Sequence, residues 1–160
     1  MNSDTVRLTD HSTFQVYYED TDFTGYVYHA NYLKYFERAR EHMLGIAYLK
    51  ELFRKKIHFV VHKMDITYHW PARHGDTIEI ESLCQISGSP VVVVEQKALL
   101  PKHCPPGPKE LVTAKIKLVA VNEIGQPIRI PDSELEVIRA MRPAQHIVAP
   151  AASARSTPGL

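Results

Sequence analysis

Four segments in the second part of the chain have the composition and spacing of β-strands. They read "IHFVVHKMDITYHW", "DTIEIESLCQI", "VVVVEQKALL" and "LVTAKIKLVAV". In the second segment Ile78 and Ile80 alternate with polar residues, which is typical of a strand with one buried face. Connections such as "SGSP" and "NEIGQP" are too short to hold a crossover helix, so we expect neighbouring strands to run antiparallel.

One segment ahead of these strands has helical spacing. Leu33 and Phe36 begin a three-to-four-residue apolar period, which predicts a long helix starting at about Ala30 or Asn31. Gly45 can end this helix, although the following "IAYLKELF" is able to continue or restart it. The sequence therefore predicts an α+β fold in which one long helix covers one face of a roughly five-stranded antiparallel sheet.

Two shorter segments complete the expected elements. "STFQVYYE" alternates, which places Phe14, Val16 and Tyr18 on one apolar face of a first strand, where a tyrosine is expected to be buried. "PDSELEVIRAM" is typical of a short closing helix with Asp132 or Ser133 as its N-cap.

The run "VVVV" at 91–94 is apolar on both faces of its predicted strand. A strand with this pattern is normally covered from both sides. Because the long helix covers only one side, we expect a second subunit on the other and therefore a homo-oligomer.

The chain has 160 residues, enough for one compact domain. We expect residues 1–10 to fray and residues 11–142 to form the domain. The segment 143–160 is rich in Ala, Pro and Ser without an apolar period, which predicts a disordered tail.

Composition excludes several functional classes. Lys plus Arg number 19 and Asp plus Glu 18, so the basic excess that nucleic acids or anionic membranes require is missing. The sequence has no apolar run of about 18 residues that would span a membrane, and its polar start predicts no secretory signal. Cys84 and Cys104 lack metal-ligand spacing and fit a reducing cytoplasm, so we expect no bound metal.

The stretch "YYEDTDFTGYVYHANY" carries three acidic residues, at 19, 20 and 22, just before the long helix. A carboxylate near a substrate can act as nucleophile or general base. A helix start nearby supplies free backbone N–H groups and a partial positive charge that stabilise an oxyanion. Gly25 permits the tight turn from strand to helix. Acid, glycine turn and helix start together suit acyl transfer.

These residues, extended to "YYEDTDFTGYVYHANYLKYFERAR", resemble the signature of the hotdog-fold acyl-CoA thioesterases. The likeness is nearest to the 4-hydroxybenzoyl-CoA thioesterase family and its Tol–Pal-associated branch. It is strongest over residues 14–44 and weaker to about residue 140. The resemblance implies a sheet wrapped around the helix, two subunits joined edge to edge, active sites at the dimer interface, and no metal or other cofactor.

The resemblance also implies roles for single residues. Asp22 falls on the catalytic carboxylate, and His29 on the helix-start position whose backbone N–H binds the thioester oxygen. The predicted site is catalytic Asp22, His29 and Tyr18, with Gly25, Tyr28, His29 and Asn31 binding substrate. The branch often has small residues where this chain has Phe23 and Thr24, so Phe23 is expected to reshape the acyl pocket.

Alternative assignments stay open at this stage. Asp20 is expected to shape the turn, and the His29 ring either acts in the site or packs on Tyr26 or Tyr32. Glu37 is a rival acid on the helix, with a surface ion pair to Arg40 or Lys34 as its simpler explanation. Cys84 and Cys104 lack an activating context. The stretch "KELFRKKIHFVVHK" either meets coenzyme A phosphates or forms a solvated helix end.

The sequence therefore predicts a cytoplasmic acyl-CoA thioesterase, active as a homodimer or homotetramer. Asp22 is either nucleophile or general base, and the thioester carrier is either coenzyme A or acyl carrier protein. The alternatives are a non-catalytic hotdog protein that binds acyl carrier protein or an envelope partner, and a hotdog hydratase or dehydratase.

Overall fold

The computed structural model describes residues 5–141 and the backbone of 145 and 146. In chain order the elements are β1 Val6–Gln15, a 3₁₀ turn Tyr18–Asp20, α1 Asn31–Leu44, α2 Ile46–Arg54, β2 His58–Tyr68, β3 Thr77–Ile86, β4 Val91–Leu100, β5 Lys109–Val121, α3 Asp132–Arg139 and β6 Gln145–His146.

The strands form one sheet in the order β2-β5-β4-β3-β1-β6. The five long strands pair antiparallel, as the short connections predicted. Ile78 and Ile80 on β3 are buried, as their alternation predicted, because that face of the sheet packs against α1. The α+β architecture predicted from the sequence is confirmed.

The N-terminal strand begins earlier than predicted. Residues 6–10 were expected to fray, but Val6 and Leu8 are buried in the core and Val6 pairs with Ile86 on β3. The prediction missed the alternation in "VRLTD", which continues the apolar face of β1 toward the N-terminus. In the segment predicted to be disordered, β6 pairs in parallel with β1, and the rest of that tail lies outside the described residues.

The helical region consists of two helices rather than one. Gly45 adopts a positive φ of 83°, which ends α1, and α2 restarts at the next residue. Phe36 and Ala39 of α1 are fully buried against the sheet. The cap predicted for α3 is wrong, because Pro131 occupies the N-cap position and no side chain caps the helix.

The outer face of the sheet carries both charged residues and valines. Val92 and Val94 point into the core, whereas Val91 is exposed on the outer face. Nearby on that face, Lys115 and Glu95 form an ion pair at 3.3 Å. Across the strands Val91 pairs with Val119, and Val119 pairs with Val60 on β2, so a row of valines lies on this face beside the charges. The covering of this row by a second subunit stays a prediction.

A buried carboxylate joins α2 to α3. Glu134 accepts hydrogen bonds from the Tyr48 hydroxyl and the Lys55 ammonium, both at 2.7 Å. The Lys55 and Tyr48 hydrogen bonds hold the pKa of Glu134 below its ordinary value. A depressed carboxyl pKa stabilises the fold above the unfolded-state pKa, and this contribution is lost as the pH falls through the folded-state pKa.

We expect Glu134→Gln to lower the free energy of unfolding at neutral pH by about 1–3 kcal/mol, because charged hydrogen bonds are replaced by neutral ones. The difference should shrink as the pH falls and the wild-type carboxylate is protonated. Urea unfolding at several pH values measures both effects. The matched control is Glu136→Gln on the same helix, whose exposed carboxylate lies 3.5 Å from Arg139. Equal losses in the two variants would contradict this account.

Candidate active site

Asp20 organises the loop between β1 and α1. Its buried carboxylate accepts the backbone N–H of Tyr17 at 2.8 Å. Its carbonyl oxygen accepts both the backbone N–H of Tyr28 and the side-chain amide of Asn31, each at 2.9 Å. Asp20 therefore stabilises the turn, as expected for it, and the Asn31 side chain connects the start of α1 to the same turn by a hydrogen bond.

Tyr18 is not on a strand and is not buried. The chain leaves the sheet after Gln15, and the 3₁₀ turn carries the Tyr18 side chain outward to 82% exposure. The expectation of a buried tyrosine is wrong because the alternation of β1 stops three residues earlier. Its ring meets the edge of the His74 ring, with centroids 6.3 Å apart.

Asp22 presents an exposed carboxylate on a fixed loop. Its Oδ1 accepts the Thr24 backbone N–H at 2.8 Å and the Thr24 hydroxyl at 2.5 Å. The hydroxyl bond, the backbone bond and the charge of His29 together lower the pKa of Asp22. The carboxylate is therefore ionised at neutral pH, and its Oδ1 is already hydrogen-bonded to Thr24. Gly25, the turn glycine, has a φ of 80° that other residues rarely adopt.

The helix start at His29 has a backbone donor without an acceptor among the described residues. The nearby Tyr28 and Asn31 N–H groups donate to the Asp20 and Tyr28 carbonyls, whereas no described residue accepts the N–H of His29 or of the next residue, Ala30. The His29 carbonyl accepts the Tyr68 hydroxyl at 3.0 Å. The centre of the exposed His29 ring lies 4.4 Å from the centre of the Tyr28 ring and 6.2 Å from that of the Tyr68 ring. The ring therefore packs beside these two tyrosines and not on Tyr26 or Tyr32.

Thr24 is a positioning residue that the sequence did not assign. We expect Thr24→Val to move the acidic limb of the pH profile of kcat/KM to higher pH, because the strongest influence lowering the Asp22 pKa is removed. The matched control is Thr21→Val, since the Thr21 hydroxyl donates to the Tyr18 carbonyl and not to Asp22. An unchanged acidic limb in Thr24→Val would contradict this role.

The other residues considered for catalysis, such as Glu37 and Cys84, are not part of this site. Glu37 is exposed on α1 and forms no ion pair with Arg40 or Lys34 within the described residues, so the ion pair expected for it is wrong. The Arg40 guanidinium instead donates to Gln96 at 2.9 Å. Burial raises the pKa of Cys84 to about 12, which makes its thiol a poor nucleophile.

The basic stretch that follows α1 is largely paired with acids. Arg54 pairs with Glu51, Lys55 with Glu134, Lys56 with Glu123 and Lys63 with Asp65, at N–O distances between 2.7 and 3.3 Å. These cations already have partners, so the geometry favours the expectation of a solvated helix end over that of a phosphate site. Phe23, expected to reshape the acyl pocket, projects fully into solvent in the protomer.

Tyr68 is the second residue that sequence reasoning missed. It lies at the end of β2, far from the loop motif in the sequence, and only the fold brings its hydroxyl to the His29 carbonyl. An exposed tyrosine at the end of a strand carries no distinctive signal. The hydrogen bond from β2 to the helix start links the edge of the sheet to the candidate site.

Residues 16–133 match the Thioesterase-like superfamily over most of the described chain. The chain belongs to this superfamily. A Helicobacter pylori protein named acyl-CoA thioesterase YbgC is 35% identical over 131 residues, which cover 79% of this chain and 98% of that relative. The Escherichia coli acyl-CoA thioester hydrolase YbgC is 40% identical over 85 residues, 51% of this chain and 63% of that relative's length.

The fold agrees with membership of this superfamily. A probable thioesterase from Bartonella henselae superimposes with a TM-score of 0.66 at 33% identity, covering 76% of this chain and 98% of that one. The hotdog fold predicted from the loop motif is confirmed, and so is the Tol–Pal-associated branch, which is the branch of the YbgC-like thioesterases. Within the part of the chain that the structure describes, no helix is both long and apolar enough to cross a bilayer.

Proposed function

We propose that this protein hydrolyses an acyl-CoA thioester to a free acid and coenzyme A. The observation that carries the proposal is the pairing of an ionised Asp22 with a helix start whose His29 N–H has no acceptor among the described residues. An anionic nucleophile or base and an oxyanion donor are the two groups that acyl transfer to water requires. The names of the relatives support the same reaction.

In the proposed reaction the thioester oxygen accepts the His29 N–H, which stabilises the negative charge that develops on it. Asp22 then follows one of two routes. It attacks the carbonyl carbon to form a mixed anhydride that water hydrolyses, or it removes a proton from an attacking water. In both routes the C–S bond breaks, a C–O bond to water oxygen forms, and the sulfur leaves as thiolate. Water is the only co-reactant, so the reaction needs no cofactor.

We further propose that two copies join along β2. This strand is the edge of the sheet, and its Val60 and Val61 side chains are about half exposed. An unpaired apolar edge strand is a natural place for a second chain to add. The bond between Tyr68 and His29 places the end of this edge beside the helix start. A partner on β2 would therefore border the site.

Two further expectations belong to this proposal. The buried free thiols of Cys84 and Cys104 suit the reducing cytoplasm. Gly25, Tyr28 and Asn31 are proposed to shape the substrate-binding surface, while exposed Tyr18 and Phe23 are placed where acyl groups or the partner subunit would contact them.

Product stoichiometry tests the reaction type. Hydrolysis releases free thiol and free carboxylic acid in equal amounts, whereas a hydratase changes the acyl chain without releasing thiol. Thiol release followed with a thiol reagent, with the acid quantified by mass spectrometry, measures both products. Conversion of the acyl group without thiol release would replace this proposal with lyase chemistry.

A further inference from the structure

A groove of about 790 Å³ opens beside the catalytic loop. Its walls come from the loop before α1, from the β2–β3 connection, and from the end of β4 with the connection that follows it. The lining residues are Tyr26, Trp70, Pro71, Arg73, His74, Asp76, Leu100, Pro105 and Pro106. We refer to it as the Trp70 groove. Its size is within the range of pockets that bind small molecules and cofactors.

The Trp70 groove is joined to the catalytic loop by backbone hydrogen bonds. Asp22 N–H donates to the Tyr26 carbonyl at 2.9 Å, and Val27 N–H donates to the Ala72 carbonyl at the same distance. Tyr18 contacts His74 on the groove wall. The groove therefore lies beside the loop that carries Asp22.

Two cations lie over aromatic rings at this groove. The Arg73 guanidinium lies 5.0 Å from the centre of the Tyr26 ring, and the Lys109 ammonium lies 5.1 Å from that of Trp70. Neither forms an ion pair with an acid in the described part of the chain, unlike most of the basic stretch after α1. Both side chains are exposed, and Nη2 of Arg73 donates to the Tyr26 hydroxyl at 3.2 Å. That bond holds the guanidinium at the groove and leaves its other N–H groups able to meet phosphate oxygens.

One acid, Asp76, also lines the groove, but it forms no ion pair with either cation in the described part of the chain. The Asp76 carboxylate accepts the backbone N–H of Arg73 at 2.7 Å and so closes the loop turn. Trp70 keeps 45% of its surface exposed, so its ring is open to a ligand. An exposed indole with unpaired cations beside it suits a ligand that combines a flat base with phosphates.

We infer that the Trp70 groove binds the 3′-phosphorylated ADP portion of coenzyme A, with Trp70 against the adenine and Arg73 and Lys109 on the phosphates. The inference rests on the proposed thioesterase function and selects coenzyme A over a carrier protein as the thioester carrier. A carrier protein presents one phosphodiester and no nucleobase, so it would leave the aromatic wall unused.

Direct binding tests the inference without catalysis. Trp70 is the only tryptophan of the chain, so its fluorescence reports on the groove alone. We expect 3′-phospho-ADP to change this fluorescence saturably and pantetheine to leave it unchanged. Lys109→Met and Arg73→Met should each weaken nucleotide binding about tenfold or more, the equivalent of one charged hydrogen bond. Lys117→Met, an exposed lysine on β5 outside the groove, is the matched control.

Kinetics give a second readout of the same groove. With one acyl group on coenzyme A and on pantetheine, each groove variant should raise KM about tenfold more for the CoA ester. Equal effects on both esters, or no binding of 3′-phospho-ADP by the wild type, would overturn the inference. Saturable nucleotide binding without hydrolysis of either ester would support the nucleotide site in the groove and reject the proposed thioesterase reaction. If Arg73→Met fails to fold, Lys109→Met, at an exposed position, carries the test alone.

Discussion

Asp22→Asn lowers kcat/KM for thioester hydrolysis on the order of 10³-fold, the contribution typical of a positioned general base or nucleophile. The substitution preserves the shape of the side chain, and the amide oxygen can still accept the Thr24 N–H. The loop is therefore retained while the negative charge is lost. Steady-state thiol release at saturating and low substrate measures the effect.

Asp20→Asn is the control for this prediction. Its side-chain oxygen can still accept the Tyr17 N–H, and its carbonyl bonds to Tyr28 and Asn31 do not involve the carboxylate. We expect this variant to keep most of the activity. Equal losses in two variants with native circular dichroism would show that the acids act as a unit and would reject the separate roles assigned to them.

The Val60→Asp, Val61→Asp double variant converts the proposed dimer into a monomer. Each substitution occurs twice in a two-fold interface. Each valine side chain buried there contributes about 1.5 kcal/mol or more to the free energy of association. The dissociation constant should therefore rise by about 10³-fold or more. Light scattering after size exclusion measures the mass, and hydrolysis should fall with it because the partner borders His29.

Val91→Asp distinguishes an interface at the edge of the sheet from an interface on its outer face. Val91 is about as exposed as the edge valines, but it lies on β4, two strands in from the β2 edge, on the same face of the sheet as Val60. This variant should remain dimeric and active. A monomeric wild type, or a double variant that stays dimeric, would contradict the assembly along β2. A dimer lost through Val91→Asp would restore the outer face as the interface.

Periodic segments of the sequence predicted the fold well. The alternation in β3 and the helical spacing after Asn31 each reflect one buried face, and both elements formed as predicted. The predictions failed where a polar residue interrupts the apolar pattern of an element. The start of β1 includes Asp10, an acidic residue that is buried with one carboxylate oxygen accepting the Ser12 hydroxyl at 2.6 Å. Hydrogen bonding of that kind depends on the folded chain and leaves no mark in the sequence pattern.

The candidate site was predictable only in its contiguous part. The order of Asp22, Gly25 and His29 is local, so the motif placed them around one turn. Tyr18 was misplaced because the 3₁₀ turn interrupts the strand period. Trp70 follows β2 and Lys109 begins β5, so the pairing of these two strands brings them together, and such a contact cannot be read from spacing along the chain.

The most direct test of the central claim is thiol release by the wild-type protein from a panel of thioesters. The panel holds short aliphatic, long aliphatic and aromatic acyl-CoAs, with Asp22→Asn measured alongside under the same conditions. The account predicts hydrolysis of at least one CoA ester by the wild type and its near-complete loss in the variant. No thiol release from any CoA ester by folded wild-type protein, or equal rates in the two proteins, would contradict it.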